Sequence, residues 1–290
     1  MKQEKMKVEK INVTPAMAKK FLTKNKGNRS VRENKVTKYA YQMTNNQWVP
    51  NGDPIRFDVE NNLIDGQHRL NAAVKSGTTL VDTIVVRGLS LKAYATIDDG
   101  VVRKIGDVLS RENIPNASEV GALARWMIVI ERGFDPRTTY QHGQVTRTDI
   151  LNWVLANNEQ AQTTVRLAKR ANKGCPIGRS AWSVFLYQVI TQKGIDTAEE
   201  FVDGCVNGDH NPHDPRNTIR KWILKLKSHG GQQKAISTIA QLAALINAYN
   251  YWVSGFELQR IHIINKKADF PVVGVLSDTQ QQKARDLSDA

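Results

Sequence analysis

The stretch Leu63-Ile64-Asp65-Gly66-Gln67-His68-Arg69-Leu70 reads as a short apolar strand, a glycine turn and a helix that begins at once. The leading N–H groups of a helix have no partner within it, and the positive end of the helix dipole lies beside them. Such a corner favours an anion. Gly66 lets the backbone approach that anion closely. Gln67 and His68 add side-chain donors, and Arg69 brings a planar fork that matches two phosphate oxygens. The expectation is a phosphate site at Gly66, Gln67, His68 and Arg69. Asp65 is the odd member, because a carboxylate repels phosphate. Three roles are open to it: capping the helix, holding Arg69, or carrying Mg²⁺ to the phosphates. His68 is of the type that moves protons near neutral pH, so His68 and Asp65 form the candidate catalytic pair.

Outward from this corner, Ile55-Arg56-Phe57 alternates like a short strand, and Glu60-Asn61-Asn62 is a turn, so residues 55–57 and 63–64 are expected to pair as a hairpin. The helix that follows Gly66 carries Leu70, Ala73 and Val74 and ends at Gly77. Val81–Val86 is β-branched and reads as a buried strand. Upstream, Thr14-Pro15 is an N-cap followed by proline at the first helical position, opening a helix to about Lys24. A second helix runs from near Ser30 to Asn45, and Met1–Lys10 is expected to fray. Short helices are expected at Leu91–Ala95 and Ile105–Leu109.

The pattern changes after about Arg111, where Asn113-Ile114-Pro115-Asn116 reads as a linker. Beyond it the spacing is helical at Val120–Arg132, Arg147–Asn157, Ala161–Ala171, Ala181–Thr191, Ala198–Cys205, Arg216–Ser228 and Lys234–Val253. The fold class is therefore α+β: a small mixed sheet with helices over residues 1–112, an all-α domain over 116–265, and a C-terminal tail over 266–290.

Composition narrows the function. The 290 residues carry a net charge of +13, and residues 1–40 hold twelve Lys and Arg against three Glu, a local net of +9. Such an excess points to polyanions, with nucleic acid foremost and DNA the expected form. The two cysteines, Cys175 and Cys205, lie 30 residues apart with no CxxC, against a disulfide framework or structural zinc and in keeping with a reducing cytoplasm. Apolar runs such as Ile236–Tyr249 are too short and too interrupted to span a bilayer, and the N-terminus has no apolar signal core. A cytoplasmic protein without a membrane partner is expected.

Further cations are candidates for phosphate or base contact: Arg29 after the first helix, Arg56 on the hairpin, and Arg103 after the Asp98-Asp99-Gly100 turn. In the helical part, Arg216, Arg220, Lys221, Lys225 and Lys227 share one helix and form a broad basic stripe suited to a DNA backbone. Asp209-His210-Asn211-Pro212-His213-Asp214 contains ligand-type residues but lacks the spacing of a helical metal site. The tryptophans at 126, 153, 182, 222 and 252 fall in helical stretches and read as core. Trp48, beside the hairpin, has the better claim to a ligand.

Asp65-Gly66-Gln67-His68-Arg69, with its strand before and Ala-rich helix after, resembles the signature of the ParB/sulfiredoxin superfamily, and more narrowly the DGQHR branch of phage ParB-like proteins. The resemblance spans about residues 12–112. It includes Asn28-Arg29, Tyr39-Ala40 with Met43, Trp48, Pro54-Ile55, Thr96-Ile97-Asp98 and Asp107-Val108-Leu109. Asn247-Ala248-Tyr249 and Gly255 resemble the C-terminal part of such proteins. What the resemblance implies is a nucleoside triphosphate at Gly66–Arg69, with Mg²⁺ where chemistry is done. Sulfiredoxins carry a catalytic cysteine where this chain has Gln67, which argues against sulfinic-acid reduction. ParB proper has Glu-Arg-Arg where this chain has Gln67-His68-Arg69. The function expected is a DNA-associated, ParB-like protein of a phage acting in its bacterial host, with a homodimer among its states and NTPase or nuclease activity as the enzymatic form. A non-catalytic DNA-binding regulator and a DNA-base modification enzyme, or an accessory to one, are the alternatives.

Overall fold

The computed structural model describes residues 6–26, 28, 30–90, 104–138, 141, 144–208, 211–228, 236–262, 269–278 and 280–282. Arg29, Arg103, Asp98, Asp99 and the helix expected at Leu91–Ala95 lie outside the described residues. The chain divides into two compact units, Met1–Val102 and Arg103–Ala290. The first is mixed α and β, and the second is helical among its described residues.

The first unit runs β1 (Lys7–Val13), α1 (Pro15–Leu22), α2 (Glu33–Thr44), β2 (Ile55–Asp58), β3 (Leu63–Asp65), α3 (Gln67–Ser76) and β4 (Leu80–Leu89). The sheet has the order β1-β4-β2-β3. The β2–β3 hairpin is antiparallel, β2 lies parallel to β4, and β1 closes the other edge antiparallel to β4. Alternation puts Ile55, Phe57, Leu63 and Val85 into the core, where they meet Ala18 and Phe21 of α1, Val36, Ala40 and Met43 of α2, and Leu70 and Ala73 of α3. Phe21 and Phe57 meet edge to face with ring centroids 5.1 Å apart. The cap read at Thr14 is present: its hydroxyl accepts from the Met17 N–H at 3.2 Å, and Pro15 opens the helix.

Lys7–Val13 departs from the expected frayed start. It is an edge strand held by its ladder to β4, although most of it is exposed. Backbone pairing to a distant strand, and not burial of its own side chains, orders it.

The second unit contains α4 (Ile105–Arg111), α5 (Ala117–Glu131), α6 (Arg147–Gly174), α7 (Arg179–Lys193), α8 (Ile195–Asn207), α9 (Pro215–Ser228) and α10 (Thr238–Val253). Leu109 of α4 is fully buried in the helical core, so α4 belongs to this unit and the division falls at residues 102–103. The helices expected at 147–157 and 161–171 are one element with a kink at Asn157, whose backbone leaves helical geometry. Its side chain donates to the Trp153 carbonyl at 2.8 Å and accepts from the Tyr187 hydroxyl at 3.0 Å, which bends the ladder at that point. Among the described residues no helix is long and apolar enough to cross a membrane.

The segment taken as a tail is in part core. Val273 and Leu276 are buried against the helices. Asn250, fully buried on α10, holds them: its amide donates to the carbonyls of Val272 (2.8 Å) and Val275 (2.5 Å), and its oxygen accepts from the Gly274 N–H at 2.7 Å. A buried amide stripped of its partners leaves orphaned carbonyls and an orphaned N–H. Asn250→Ala should therefore lower stability by roughly 3 kcal/mol, read as a lower melting temperature of the full chain, with protease cleavage appearing first within residues 269–278. An unchanged melting curve would show that the segment is held by its apolar contacts alone.

Candidate functional site

The corner after β3 has the expected backbone: Gly66 sits at φ 104° and α3 begins at Gln67. Of the three roles open to Asp65 it takes that of holding Arg69, and the neighbouring side chains turn to partners within the fold. Asp65 lies directly across the hairpin from Arg56, and one turn before Arg69. Its Oδ2 accepts from Arg56 Nη1 at 2.5 Å and from Arg69 Nη2 at 3.1 Å, while Oδ1 accepts from the Gly66 N–H at 2.7 Å. Arg69 also donates to the carbonyls of Asp53 and of Pro54, the latter at 2.7 Å. Both guanidinium groups expected to face phosphate are thus gathered on one carboxylate, with the Arg69 side chain 11% exposed.

Gln67 and His68 are buried and tie down the segment between α1 and α2. Gln67 Oε1 accepts from Asn25 Nδ2 at 3.0 Å, and His68 Nε2 accepts from the Arg32 N–H at 3.1 Å. Accepting there requires an unprotonated Nε2, so that nitrogen is already engaged and is not presented to a substrate. Asn28 Nδ2 bonds the Leu63 carbonyl at 2.5 Å, fastening the same segment to β3. Gly66 itself is required by packing: a Cβ there would lie 2.4 Å from Ile55 Cδ1, on a positive φ that side chains rarely adopt. The hollow beside Arg69, between Trp48, Pro50 and β4, measures about 30 Å³, room for about one water. Trp48 packs edge-on against Tyr39 at 5.2 Å and lines that hollow.

A divalent cation does not fit Asp65. The oxygen that would coordinate it already faces two guanidinium groups, whose charge would repel the metal. Among the described residues no group of three or more His, Cys, Asp or Glu is placed to hold a metal ion. The Asp65–His68 pair therefore yields no metal-assisted step.

On α9 the five basic residues separate. Arg216 turns inward, chelating Asp214 (Nε–Oδ1 3.0 Å, Nη2–Oδ2 2.8 Å) and lying 5.1 Å from the centre of the Trp252 ring. That contact holds the Asp214 carboxyl below its ordinary range against the opposing effect of burial. Gly204 lies so close that a Cβ there would be 2.4 Å from Arg216 Cδ. Arg220 is half-buried beside Gly208. Lys221, Lys225 and Lys227 are exposed. Cys175 and Cys205 are fully buried, and burial pushes their thiols up, Cys175 to about 12, so neither is a nucleophile.

A second basic concentration was not among the expected sites. Lys20 and Lys24 of the α1 end, Lys7 of β1 and Arg87 of β4 border one open hollow of about 490 Å³ in the first unit. The i, i+4 spacing of Lys20 and Lys24 was readable. The convergence was not, because Lys7 was taken as frayed and Arg87 lies far along the chain.

No family model, curated protein or solved structure matches the chain.

The geometry makes the corner a structural fastening. Asp65→Asn should remove the charge that holds two guanidinium groups and destabilise the unliganded chain by about 2 kcal/mol, the scale of hydrogen bonds to charged groups. Arg69→Ala should lower its melting temperature similarly. If Arg69→Ala melts like the native protein, the corner is not the fastening described.

Proposed function

We propose that the chain is a DNA-associated protein of the ParB-like, DGQHR kind, and that it works by holding nucleic-acid phosphate and not by hydrolysing it. The first unit is read as a ParB/sulfiredoxin-like domain because a strand, a left-handed glycine and a helix follow in that order within a four-stranded mixed sheet. The non-catalytic reading is preferred over a nuclease, an NTPase or a base-modifying enzyme. The groups that would do chemistry at the corner, Asp65, His68 and Arg69, are all engaged in internal hydrogen bonds. A nucleotide at that corner would first have to replace the carboxylate and the two carbonyls that occupy Arg69.

The observation that carries the proposal is Lys221 and Lys225, exposed one turn apart on α9, with Lys227 exposed elsewhere around the same helix, in a chain of net charge +13. Lysines of this kind displace counterions from phosphates without reading sequence, so affinity falls with salt in proportion to the contacts made. Arg216 is excluded from this surface by its bond to Asp214. Duplex DNA should bind the native chain with a strongly negative slope of log affinity against log salt. K221Q/K225Q/K227Q should reduce the magnitude of that slope by about 2 to 3, roughly one per lost phosphate contact. Anisotropy titrations of a labelled duplex at several salt concentrations measure it. A slope that the triple substitution leaves untouched, or a native chain that ignores DNA, defeats the proposal.

A further inference from the structure

The open hollow of the first unit collects like charges against their own repulsion. Lys7 and Arg87 are direct partners across the β1–β4 ladder, where like charges facing each other destabilise. Lys20 and Lys24 stand one helical turn apart on the neighbouring α1 end, a second unfavourable spacing. Desolvation first, and then the nearby charges of Arg87 and Lys20, draw the Lys24 ammonium below its ordinary pKa.

The acids nearby relieve only part of this. Arg87 alone of the four has an acidic partner among the described residues, Glu9 at 3.0 Å, and it donates as well to Asn61 Oδ1 at 2.9 Å. Asp58 also borders the hollow, where its charge offsets one of the four cations, and the β2–β3 turn fixes its carboxylate in place. It accepts from the N–H groups of Glu60 (2.9 Å) and Asn62 (2.8 Å) and from the Asn62 amide (3.1 Å).

The hollow is also shaped and braced. The Arg87 guanidinium lies 4.4 Å from the centre of the Phe57 ring and 5.3 Å from that of Phe21, with Lys24 5.7 Å from Phe57 on the same ring. Aromatic faces hold these cations in place without neutralising them. Met17 and Phe21 give the wall an apolar part. A volume of about 490 Å³ is within the range of small-ligand sites, about 300 to 1,000 Å³. It is too small for a duplex and large enough for one nucleotide.

We propose that this hollow, bordered by Lys7, Lys20, Lys24 and Arg87, is a phosphate-binding site that takes a single nucleotide unit, its phosphates among the four cations and its base against Met17 and Phe21. The site shares no residue with the α9 lysines or with the Asp65–Arg69 corner, and it stands whether or not α9 binds duplex DNA. The nucleotide comes either free, as a nucleoside polyphosphate, or as part of a single strand.

Two titrations of the full chain distinguish these sources, ATP by calorimetry and a labelled twelve-residue oligothymidylate by anisotropy. K20Q/K24Q is the main variant: Lys20 is exposed on α1, Lys24 is half-buried just past its end, and the melting curve reports any loss of fold. Arg87→Lys is the second, keeping charge while removing the planar fork. K20Q/K24Q should weaken binding of at least one probe tenfold or more with a melting temperature no lower than native, and Arg87→Lys should weaken the same probe. K221Q/K225Q/K227Q should leave that probe's affinity within twofold. The probe affected identifies the source. Neither probe binding to the native chain, or both binding K20Q/K24Q as tightly as native, overturns the proposal. Loss of duplex binding in K221Q/K225Q/K227Q alone bears on α9 and leaves this site standing.

Discussion

One carboxylate organises the first unit. Asp65 ends β3, and its two oxygens receive a guanidinium from the paired strand, a guanidinium from the first turn of α3, and the N–H of the glycine between them. The strand, the turn and the helix are thereby locked to each other by groups that lie within a few residues of the corner. Arg69 extends the lock to the carbonyls of Asp53 and Pro54, so the irregular chain ahead of β2 is held as well. Gln67 and His68 do the same for the segment ahead of α2. A five-residue run thus satisfies polar groups of segments that have no ladder or helix of their own, which buried backbone requires.

The same run explains why Gly66 tolerates no side chain. The lock draws β2 close enough that Ile55 fills the space a Cβ would need. The left-handed backbone then turns the chain directly into α3 without an intervening loop. Packing and conformation make one demand, and a glycine here indicates tight assembly as readily as it indicates an approaching ligand.

Much of this architecture was legible in the sequence. The corner, the hairpin, the capped α1 and most helices of the second unit follow from local spacing and punctuation. What local pattern missed was set by distant partners. β1 has charged, exposed residues and is a strand only because β4 offers its edge. The fate of Arg56 is decided by hairpin register, which puts it opposite Asp65, and a guanidinium fits a carboxylate as well as a phosphate. Asn157 and Asn250 carried a readable signal, being amides in otherwise helical, apolar runs. One bends its helix and the other anchors a returning segment, and spacing alone does not distinguish those roles. Lys7, Lys20, Lys24 and Arg87 converge through tertiary structure alone.

The contrast between the two basic places in the first unit is energetic. At the Asp65 corner the arginines are already satisfied. An incoming phosphate must displace charge-assisted bonds worth about 1.5 to 3 kcal/mol each before it gains any of its own. It must also find room beside a hollow of about 30 Å³. At the Arg87 hollow the sign reverses. Lys7 faces Arg87 across the ladder, Lys20 and Lys24 crowd the same opening, and Glu9 and Asp58 offset only part of that charge. There an anion removes a repulsion that the fold otherwise sustains, so binding and stability change in the same direction. Between two basic clusters, the one whose charges are only partly compensated is the one a ligand can improve.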